Sequence, residues 1–469
     1  MRFLTIATVA LALLAGAYLR FADLGAREIS ADEGASWAAA AAPSAIEVLR
    51  RQAQLNPGKL GVHDVALHYW MNVFGDSAVA MRALSATAGT VAIILVFFLT
   101  RELLRSDFVF ASAQTDSRDL LSSQDRDIVA AIAALLFAVN LITIKYAREA
   151  RMYPLVLVFT IAQVWFFLRA ARHGGLANYL GMAAFSGLGV ATNLTATVIL
   201  VPEGIWIALL LLRRGDRRFA LALKLVASIV AGLLMIAPLA IIYLRVRTGP
   251  TNPQAYAWIP MPPPYAPITL FNKATGTFAF PVMAALALWG AISGFRRARG
   301  AVVFAVLWMF APPLAALTFS YVIQPAFLER YLISCFVPFF ILDAIGVWQL
   351  RYWWAQAGAL AIAIALALGH VASYDRKPHD AQWREAAIVA TCNVSMDGAV
   401  VVAPGYAVNV VRYYLRRAPA VVAVPVDQPD DATVAIVAEE GVAPTRAAQL
   451  TRDYARFLVR LRGVMVRQK

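Results

Sequence analysis

The sequence is dominated by apolar runs, each long enough to cross a lipid bilayer as a helix. A spanning helix needs about 20 largely apolar residues, because each residue rises about 1.5 Å and the hydrocarbon layer is about 30 Å thick. About eleven runs approach or meet this length. They are residues 3–19, 79–100, 128–144, 153–170, 179–195, 197–212, 219–243, 278–295, 301–320, 331–350 and 354–371. The sequence therefore predicts an α-helical polytopic membrane protein.

The composition supports a membrane protein and argues against a nucleic-acid-binding one. Only 15% of the residues are charged and the mean hydropathy is +0.65, whereas a soluble domain carries about 25% charged residues. The net charge of +14 would suggest nucleic acid as a partner in a soluble protein. Here the cations form short clusters between apolar runs, which is typical of cytoplasmic loops. The predicted surroundings are therefore a bilayer, and no nucleic-acid partner is expected.

The basic clusters also predict the orientation. Arginines at 213–218 and 296–299 fall on one side of the membrane, and the positive-inside rule makes that side cytoplasmic. The N-terminus is then cytoplasmic, while the loops 20–78 and 244–277 and everything after 371 are external. The Arg- and Ala-rich composition suggests a bacterial inner membrane. Cleavage after the first run, as in a signal peptide, would leave 20–78 external all the same.

The tail differs in character from the rest of the chain. Residues 1–371 are predicted to form the transmembrane domain, and residues 372–469 a small external α/β domain. Apolar β runs alternate there with helical stretches: strands at 399–403, 420–424 and 433–437, and helices at 381–391 and 447–464. A cap or docking platform is the preferred role of this domain over a catalytic one.

Two external loops carry the polar side chains that could do chemistry. The first holds the adjacent carboxylates Asp32 and Glu33, which are either ordinary solvated groups or part of a site. The second, 145–153, contains three cations and one carboxylate. These could anchor the interface by snorkelling. Positive charge on the outer side opposes the topology rule, however, and phosphate binding would explain it.

These features recur in the order seen in a known family. The chain has the acidic pair at 32–33, Trp70 followed by Phe74 and Gly75, Arg82, the loop 148–153 and the segment 329–331. In order and sidedness it resembles the bacterial relatives of the protein O-mannosyltransferases. This GT-C group also holds the aminoarabinose transferase of lipid A and the rhizobial lipopolysaccharide galacturonosyltransferases. The resemblance covers about residues 1–350.

The resemblance implies a glycosyltransferase that uses a polyprenyl-phosphate-linked sugar as donor and a lipid, glycan or protein as acceptor. The family's catalytic Asp in the first loop corresponds to Asp32, with Glu33 beside it. The residues expected to bind the donor phosphate are Arg148, Arg151, Arg330 and Lys59, and those expected to support the site are Glu149, Tyr153, His63, Glu329 and Tyr331. Many relatives have a His/Lys-Pro-Pro-Leu segment where this chain reads Asn-Pro-Gly-Lys at 56–59, which leaves the roles of Lys59 and His63 open.

The chemistry agrees with a single catalytic carboxylate. Glycosidases need a second carboxyl group because their alkoxide leaving group must be protonated. A polyprenyl phosphate leaves as a stable anion, so one base for the acceptor hydroxyl and cations for the phosphate suffice. This predicts one inverting displacement. No motif selects a metal, so no cofactor is expected, although Asp32, Glu149 and His63 could surround a divalent ion.

Two other functions are compatible with the sequence. A transporter or flippase for a lipid-linked sugar would place ionisable residues along a pathway through the membrane. A non-catalytic assembly or sensor protein would use its tail for binding. Few ionisable residues lie inside the apolar runs, and the polar groups gather on one face, which favours the transferase.

Overall fold

The apolar runs fold into long helices because lipid leaves the backbone no other partners for its hydrogen bonds. The computed structural model describes twelve stretches of the chain: 2–56, 58–105, 121–212, 215–247, 259–376, 383–392, 399–403, 407–416, 422–425, 434–439, 457–461 and 464–468. The sequence also predicts a polar, charge-mixed cytoplasmic loop at 105–127, and most of it lies outside these residues.

The helices before the tail are seventeen α-helices, with two 3-10 segments at Leu194–Ile199 and Glu329–Cys335, in the described part of the chain. Their bounds are α1 Arg2–Phe21, α2 Ala31–Ala40, α3 Ala45–Leu55, α4 Val62–Phe74, α5 Ala78–Leu103, α6 Ser123–Val139, α7 Leu141–Ala147, α8 Tyr153–His173, α9 Leu176–Thr192, α10 Leu200–Leu212, α11 Asp216–Met235, α12 Ala237–Val246, α13 Ala266–Thr275, α14 Ala279–Phe295, α15 Arg299–Val322, α16 Phe336–Trp348 and α17 Trp353–Asp375.

The predicted polytopic fold is confirmed. Among the described residues, eight helices are long and apolar enough to cross a membrane, or ten if each of two bent pairs forms one span. The bent pairs are α6 with α7 (58°) and α13 with α14 (113°). Helix α9, with 17 residues, packs against α8 and α11. Ten of the eleven predicted runs coincide with a helix, with a bent pair or with a 3-10 segment and the helix that follows it, whereas the run predicted at 219–243 is divided between α11 and the short helix α12.

The bend between α6 and α7 is stabilised by a buried arginine. Asn140 ends α6, and its Oδ1 accepts from the Ile142 amide at 3.0 Å to start α7. Arg20 of α1 is 0% exposed. Its guanidinium donates to the Ala138 carbonyl at 2.8 Å and to Thr143 Oγ1 at 3.0 Å. A cation is favourable at this helix end because the terminal carbonyls carry partial negative charge.

The tail forms two helices and a five-stranded sheet in its described residues. The elements are α18 Trp383–Cys392, β1 Ala399–Ala403, α19 Val408–Leu415, β2 Val422–Pro425, β3 Val434–Glu439, β4 Phe457–Leu461 and β5 Val464–Gln468. The strand order is β2-β1-β3-β5-β4. Strand β1 pairs in parallel with β2 and β3, and β5 pairs antiparallel with β3 and β4.

The structure corrects one helix of the tail and adds another. The helix predicted at 447–464 is wrong at 457–461, where β4 forms, and at 464, where β5 begins; residues 447–456 and 462–463 lie outside the described residues. The valines in 457–466 favour strands, and Gly463 disfavours a helix there. The three predicted strands form with ends shifted by at most two residues. Helix α19 was not predicted, and it packs on α2.

Candidate active site

The candidate residues come together where several spans end on one face of the bundle. Helix α1 ends at Phe21, α5 begins at Ala78, α7 ends at Ala147 and α8 begins at Tyr153. The 3-10 segment from Glu329 begins on the same face, because its Arg330 contacts the loop after α1. Short helices α2, α3 and α4 lie over this face in the segment that joins α1 to α5.

Helix α2 presents Asp32 in its first turn. Ser30 caps the helix: its hydroxyl accepts from the Glu33 amide at 3.3 Å, and the Glu33 carboxylate accepts from the Ser30 amide at 3.0 Å. This reciprocal pair is a capping box, which fixes where a helix begins. The first turn also favours a carboxylate through the helix dipole. Asp32 is therefore held in a defined place although it lies in a loop.

The Asp32 carboxylate lies between two arginines and remains accessible. Its Oδ2 is 3.3 Å from Arg330 Nη1 and 3.6 Å from Arg151 Nη2, and its side chain is 51% exposed. The positive charge of Arg151, helped by Arg330 and Lys59, lowers the pKa of Asp32 although burial opposes this. Asp32 is thus an ionised carboxylate with room for a ligand and with cations on either side.

Arg151 joins the second loop to the first. Its Nη1 donates to the Asp32 carbonyl at 2.8 Å and to the Ser36 hydroxyl at 3.2 Å, and it lies 3.4 Å from Asn56 Oδ1. Its own carbonyl accepts from Ser85 Oγ at 2.9 Å. These contacts hold the guanidinium beside Asp32 in a buried position, so that its charge needs no rearrangement to act on a bound anion.

Glu33 has the opposite surroundings from Asp32. Its carboxylate accepts two bonds from Arg82, at 2.7 and 2.9 Å, and one from the Ala150 amide at 2.8 Å. Burial alone would raise the pKa of Glu33, but the hydrogen bonds and charge of Arg82 outweigh it and the pKa is lowered. With Ser30 also bound, both oxygens are occupied, so Glu33 joins α2, α5 and the second loop.

Lys59 belongs to a buried cluster behind Asp32. Its Nζ is 3.3 Å from each carboxylate oxygen of Asp64, and Asp64 Oδ1 is 3.7 Å from His63 Nδ1. Burial lowers the pKa of Lys59 to about 8, partly offset by the attraction of Asp64 and, more weakly, of Asp32. Asp64 was not among the predicted site residues, although its position five residues after Lys59 placed it in the same loop.

Arg148 lies in a different group of contacts. Its Nε donates to the Leu19 carbonyl at 2.7 Å, and its Nη1 is 2.8 Å from Asp375 at the end of α17. Asp375 also pairs with Arg27 at 3.3 Å. These bonds tie the ends of α1 and α17 to the second loop, whereas Arg151 turns toward Asp32.

Glu329 and the tyrosines line the neighbouring part of the face. Glu329 Oε1 accepts from Lys145 Nζ at 3.1 Å and from the Tyr146 hydroxyl at 2.9 Å. The Tyr146 and Tyr153 rings are 4.9 Å apart. The Arg330 guanidinium lies 5.7 Å from the ring centroid of Tyr331, a cation–π distance. These contacts orient the 3-10 segment that begins at Glu329, and this segment places Arg330 beside Asp32.

Glu149 lies in the second loop between Arg148 and Arg151, and its side chain is partly buried. Burial, followed by the negative charge of Glu33, raises the pKa of Glu149 to about 7. Within the described residues no group of three or more His, Cys, Asp or Glu side chains is close enough to hold a metal ion.

The comparisons with known proteins agree with this architecture. Residues 64–217 match the family model described as the protein O-mannosyl-transferase TMEM260 N-terminal domain. No curated protein matched the chain. The fold is similar to ArnT from Cupriavidus metallidurans in the apo state (TM-score 0.61, 13% identity, 98% of this chain and 97% of that chain covered).

Two further solved structures share the fold. ArnT from the same organism bound to undecaprenyl phosphate has a TM-score of 0.61 at 12% identity, with 99% of this chain and 97% of that chain covered. The Archaeoglobus fulgidus oligosaccharyltransferase in the apo form has a TM-score of 0.55 at 12% identity, covering 92% and 65%. These likenesses show that this multi-pass membrane protein has the fold of ArnT and of the archaeal oligosaccharyltransferase, and that residues 64–217 are similar to an O-mannosyl-transferase domain.

Proposed function

We propose that the chain transfers a sugar from a polyprenyl-phosphate-linked donor to an acceptor hydroxyl on the periplasmic face of a bacterial inner membrane, with inversion at the sugar carbon. The observation that carries this proposal is the half-exposed Asp32 carboxylate between Arg151 and Arg330. A base and a pair of guanidiniums at a membrane face are what this reaction requires.

The donor class is supported by charge and by likeness. Arg151 and Arg330 form a pair of cations, and planar guanidiniums bind phosphate through two parallel hydrogen bonds. Lys59 lies close behind them, but its charge is paired with the buried Asp64, so the two arginines carry this part of the proposal. One structure of the similar ArnT protein holds undecaprenyl phosphate. A lipid carrier also suits a site at the ends of spans, where its chain can remain in the bilayer.

The reaction is one displacement. The acceptor oxygen attacks the anomeric carbon while its proton passes to an Asp32 carboxylate oxygen. The bond from that carbon to the phosphate oxygen breaks, and the phosphate leaves with the electron pair. The cations stabilise the growing negative charge on the phosphate. Because attack and departure occur on opposite sides of the carbon, the configuration inverts.

The other residues have positioning roles in this proposal. Glu33 holds α2 against Arg82 and the Ala150 amide. Arg148, bound to Asp375 and Leu19, places the second loop. The sequence analysis expects Arg148 to bind the donor phosphate; in this proposal Arg151 and Arg330 bind it instead. The acceptor is a hydroxyl of a lipid, a glycan or a protein, and it approaches Asp32 from the exposed side.

The test is Asp32→Asn, which preserves size but removes basicity. We expect transfer from a panel of undecaprenyl-phosphate monosaccharides to fall by about 10²–10⁴-fold. Affinity for undecaprenyl phosphate should stay within a few-fold of the parent. The matched control is Asp23→Asn, an exposed aspartate of the same loop with a φ of 57°, a conformation that Asn also adopts. Parental transfer by Asp32→Asn would refute the proposal, and movement of intact donor across the membrane would instead support a flippase.

A further inference from the structure

We infer that the C-terminal unit positions the catalytic helix: α19 holds α2 so that Asp32 stays beside its arginines, and Tyr414 and Arg416 are the positioning residues. The inference deepens the proposed function, on which it rests. The α19 residues concerned lie more than 370 residues after Asp32 in the sequence. The tail then contributes to the reaction by positioning a residue, which a cap would not do.

The two helices meet at backbone distance. A Cβ atom added at Gly34 would lie 2.6 Å from the Val410 nitrogen and 2.7 Å from its Cα. No side-chain rotation can relieve that contact, because the atoms belong to the α19 backbone. Asp32 and Ser36 on another face of α2 contact Arg151. Helix α2 is therefore held between the second loop and α19.

Tyr414 fixes the start of α2. Its hydroxyl oxygen accepts a hydrogen bond of 2.8 Å from the Ile29 amide, directly before the capping residue Ser30. Ile29 is only 1% exposed, so in the absence of Tyr414 its amide would lose this partner in a buried place. An unsatisfied buried donor disfavours the conformation that creates it.

Arg416 fixes the middle of α2 through a shared carboxylate. Its Nε is 2.9 Å from Asp76 Oδ2, which also accepts from Trp37 Nε1 of α2 at 3.3 Å. The guanidinium lies 3.8 Å from the Tyr413 ring centroid, and that ring meets Trp37 edge to face at 5.4 Å. The arginine thus connects α19, the start of α5 and α2 in one cluster.

A short helix needs such support. Helix α2 has 10 residues, and an isolated helix below about 12 residues is marginal in water. Its position must therefore come from packing. A displacement of Asp32 by about 1 Å can cost up to about 10²-fold in rate. It would also weaken the attraction of Arg151, which keeps the carboxylate ionised.

The experiment uses the full chain in nanodiscs, with Tyr414→Phe and Arg416→Ala. We expect kcat to fall by about 10- to 100-fold, with little change in KM for donor or in affinity for undecaprenyl phosphate. The acidic limb of the kcat/KM profile should move to higher pH, because Asp32 loses part of its ion pairing. Arg416→Lys should recover part of the rate. The control is Arg50→Gln, on α3 with a 60% exposed side chain, with parental kinetics expected.

A glycine pair tests the backbone contact itself. Gly34→Ala should reproduce the kcat loss and the pH shift. Gly358→Ala, in helix α17, meets nothing within 4 Å and should leave both unchanged, although each substitution raises helix propensity alike. If Asp32→Asn is inactive while Tyr414→Phe and Arg416→Ala keep the parental kcat and pH profile, the inference is overturned and the proposed function stands. Parental activity of Asp32→Asn would instead remove the proposed function.

Discussion

Adjacent carboxylates of the first loop have opposite environments because successive residues of a helix point about 100° apart. The Glu33 side chain is 2% exposed and bound to Arg82, whereas the Asp32 side chain is 51% exposed. A carboxylate whose oxygens are all bound cannot accept a substrate proton without giving up those partners. The difference in role that we propose therefore follows from the helical turn between them.

Glu149 gives a pH-dependent prediction at the same scale. Its pKa in the folded protein is raised to about 7 from the ordinary 4.5, so the folded state holds the proton more tightly than the unfolded state. Stability contributed by this group is then present at low pH and is lost as pH rises toward 7. Glu149→Gln, which mimics the neutral form, should raise the melting temperature relative to the parent at pH 8.

The same variant should differ less from the parent at pH 5, when most of the Glu149 carboxyl is already protonated. Thermal melting in detergent at the two pH values measures this. Glu47→Gln on α3 controls for a surface substitution. A melting difference between Glu149→Gln and the parent that is equal at both pH values would contradict the prediction.

The broken span α6–α7 is the element that delivers the second loop to the site. A continuous helix would carry the chain straight on, but the 58° bend turns α7 before the loop at 148–152. The exposed carbonyls at the bend would be costly in an apolar interior. Arg20 supplies donors to them from α1, so the sequence-distant helix stabilises the break.

Removing the hydrogen bonds that Arg20 donates at this bend should destabilise the bundle. Arg20→Met leaves the Ala138 carbonyl without this donor, at about 1–3 kcal/mol for a buried group left unsatisfied. The Thr143 hydroxyl keeps its own hydrogen bonds to the Phe137 and Asn140 carbonyls. Arg20→Lys should lie between the parent and Arg20→Met, because Lys keeps the charge but not the planar fork. Thermal unfolding in detergent tests the order. Arg50→Met, at a 60% exposed side chain, is the control. Equal stability of Arg20→Met and the parent would show that the bend does not depend on Arg20.

At the scale of the whole molecule, polar groups divide between the two faces. Asp32, Arg151 and Arg330 lie on one face with α19. The ends of α5, α8 and α14 on the other face carry a basic set: Arg101, Arg105, Arg172 and Arg297. Glu102 there is bound by Arg172 at 2.9 Å and Arg105 at 3.2 Å. Excess arginine is typical of a cytoplasmic face.

We therefore predict a cytoplasmic N-terminus and an external C-terminal unit. Reporter fusions at residues 215 and 400 should report opposite sides, because an odd number of predicted spans separates them. A phosphatase active only outside the cytoplasm and a fluorescent protein that folds inside it are suitable reporters. Both fusions on one side would contradict the orientation, and an external residue 215 would place Asp32 in the cytoplasm.

The sequence by itself determined most of the spans, because an unbroken apolar run of about 20 residues in lipid can satisfy its backbone hydrogen bonds within itself only as a helix. It also indicated the loops that meet, since charge and order along the chain are local information. Charge and order alone indicated the acidic pair at 32–33; the choice of Asp32 over Glu33 came from the family resemblance and stays a prediction. The strand at 457–461 could not, because its short apolar segment is compatible with either a helix or a strand until a partner strand decides.

Only the tertiary structure decided which charges are neighbours. Arg148 and Arg151 are alike in sequence, yet one binds Asp375 and the other Asp32. No local sequence pattern specifies that Glu33 pairs with Arg82, that Lys59 pairs with Asp64 or that α2 packs on α19. A side chain's direction depends on how its helix is rotated and packed against others. That rotation is set by the summed contacts of the whole bundle rather than by the residues of any one segment.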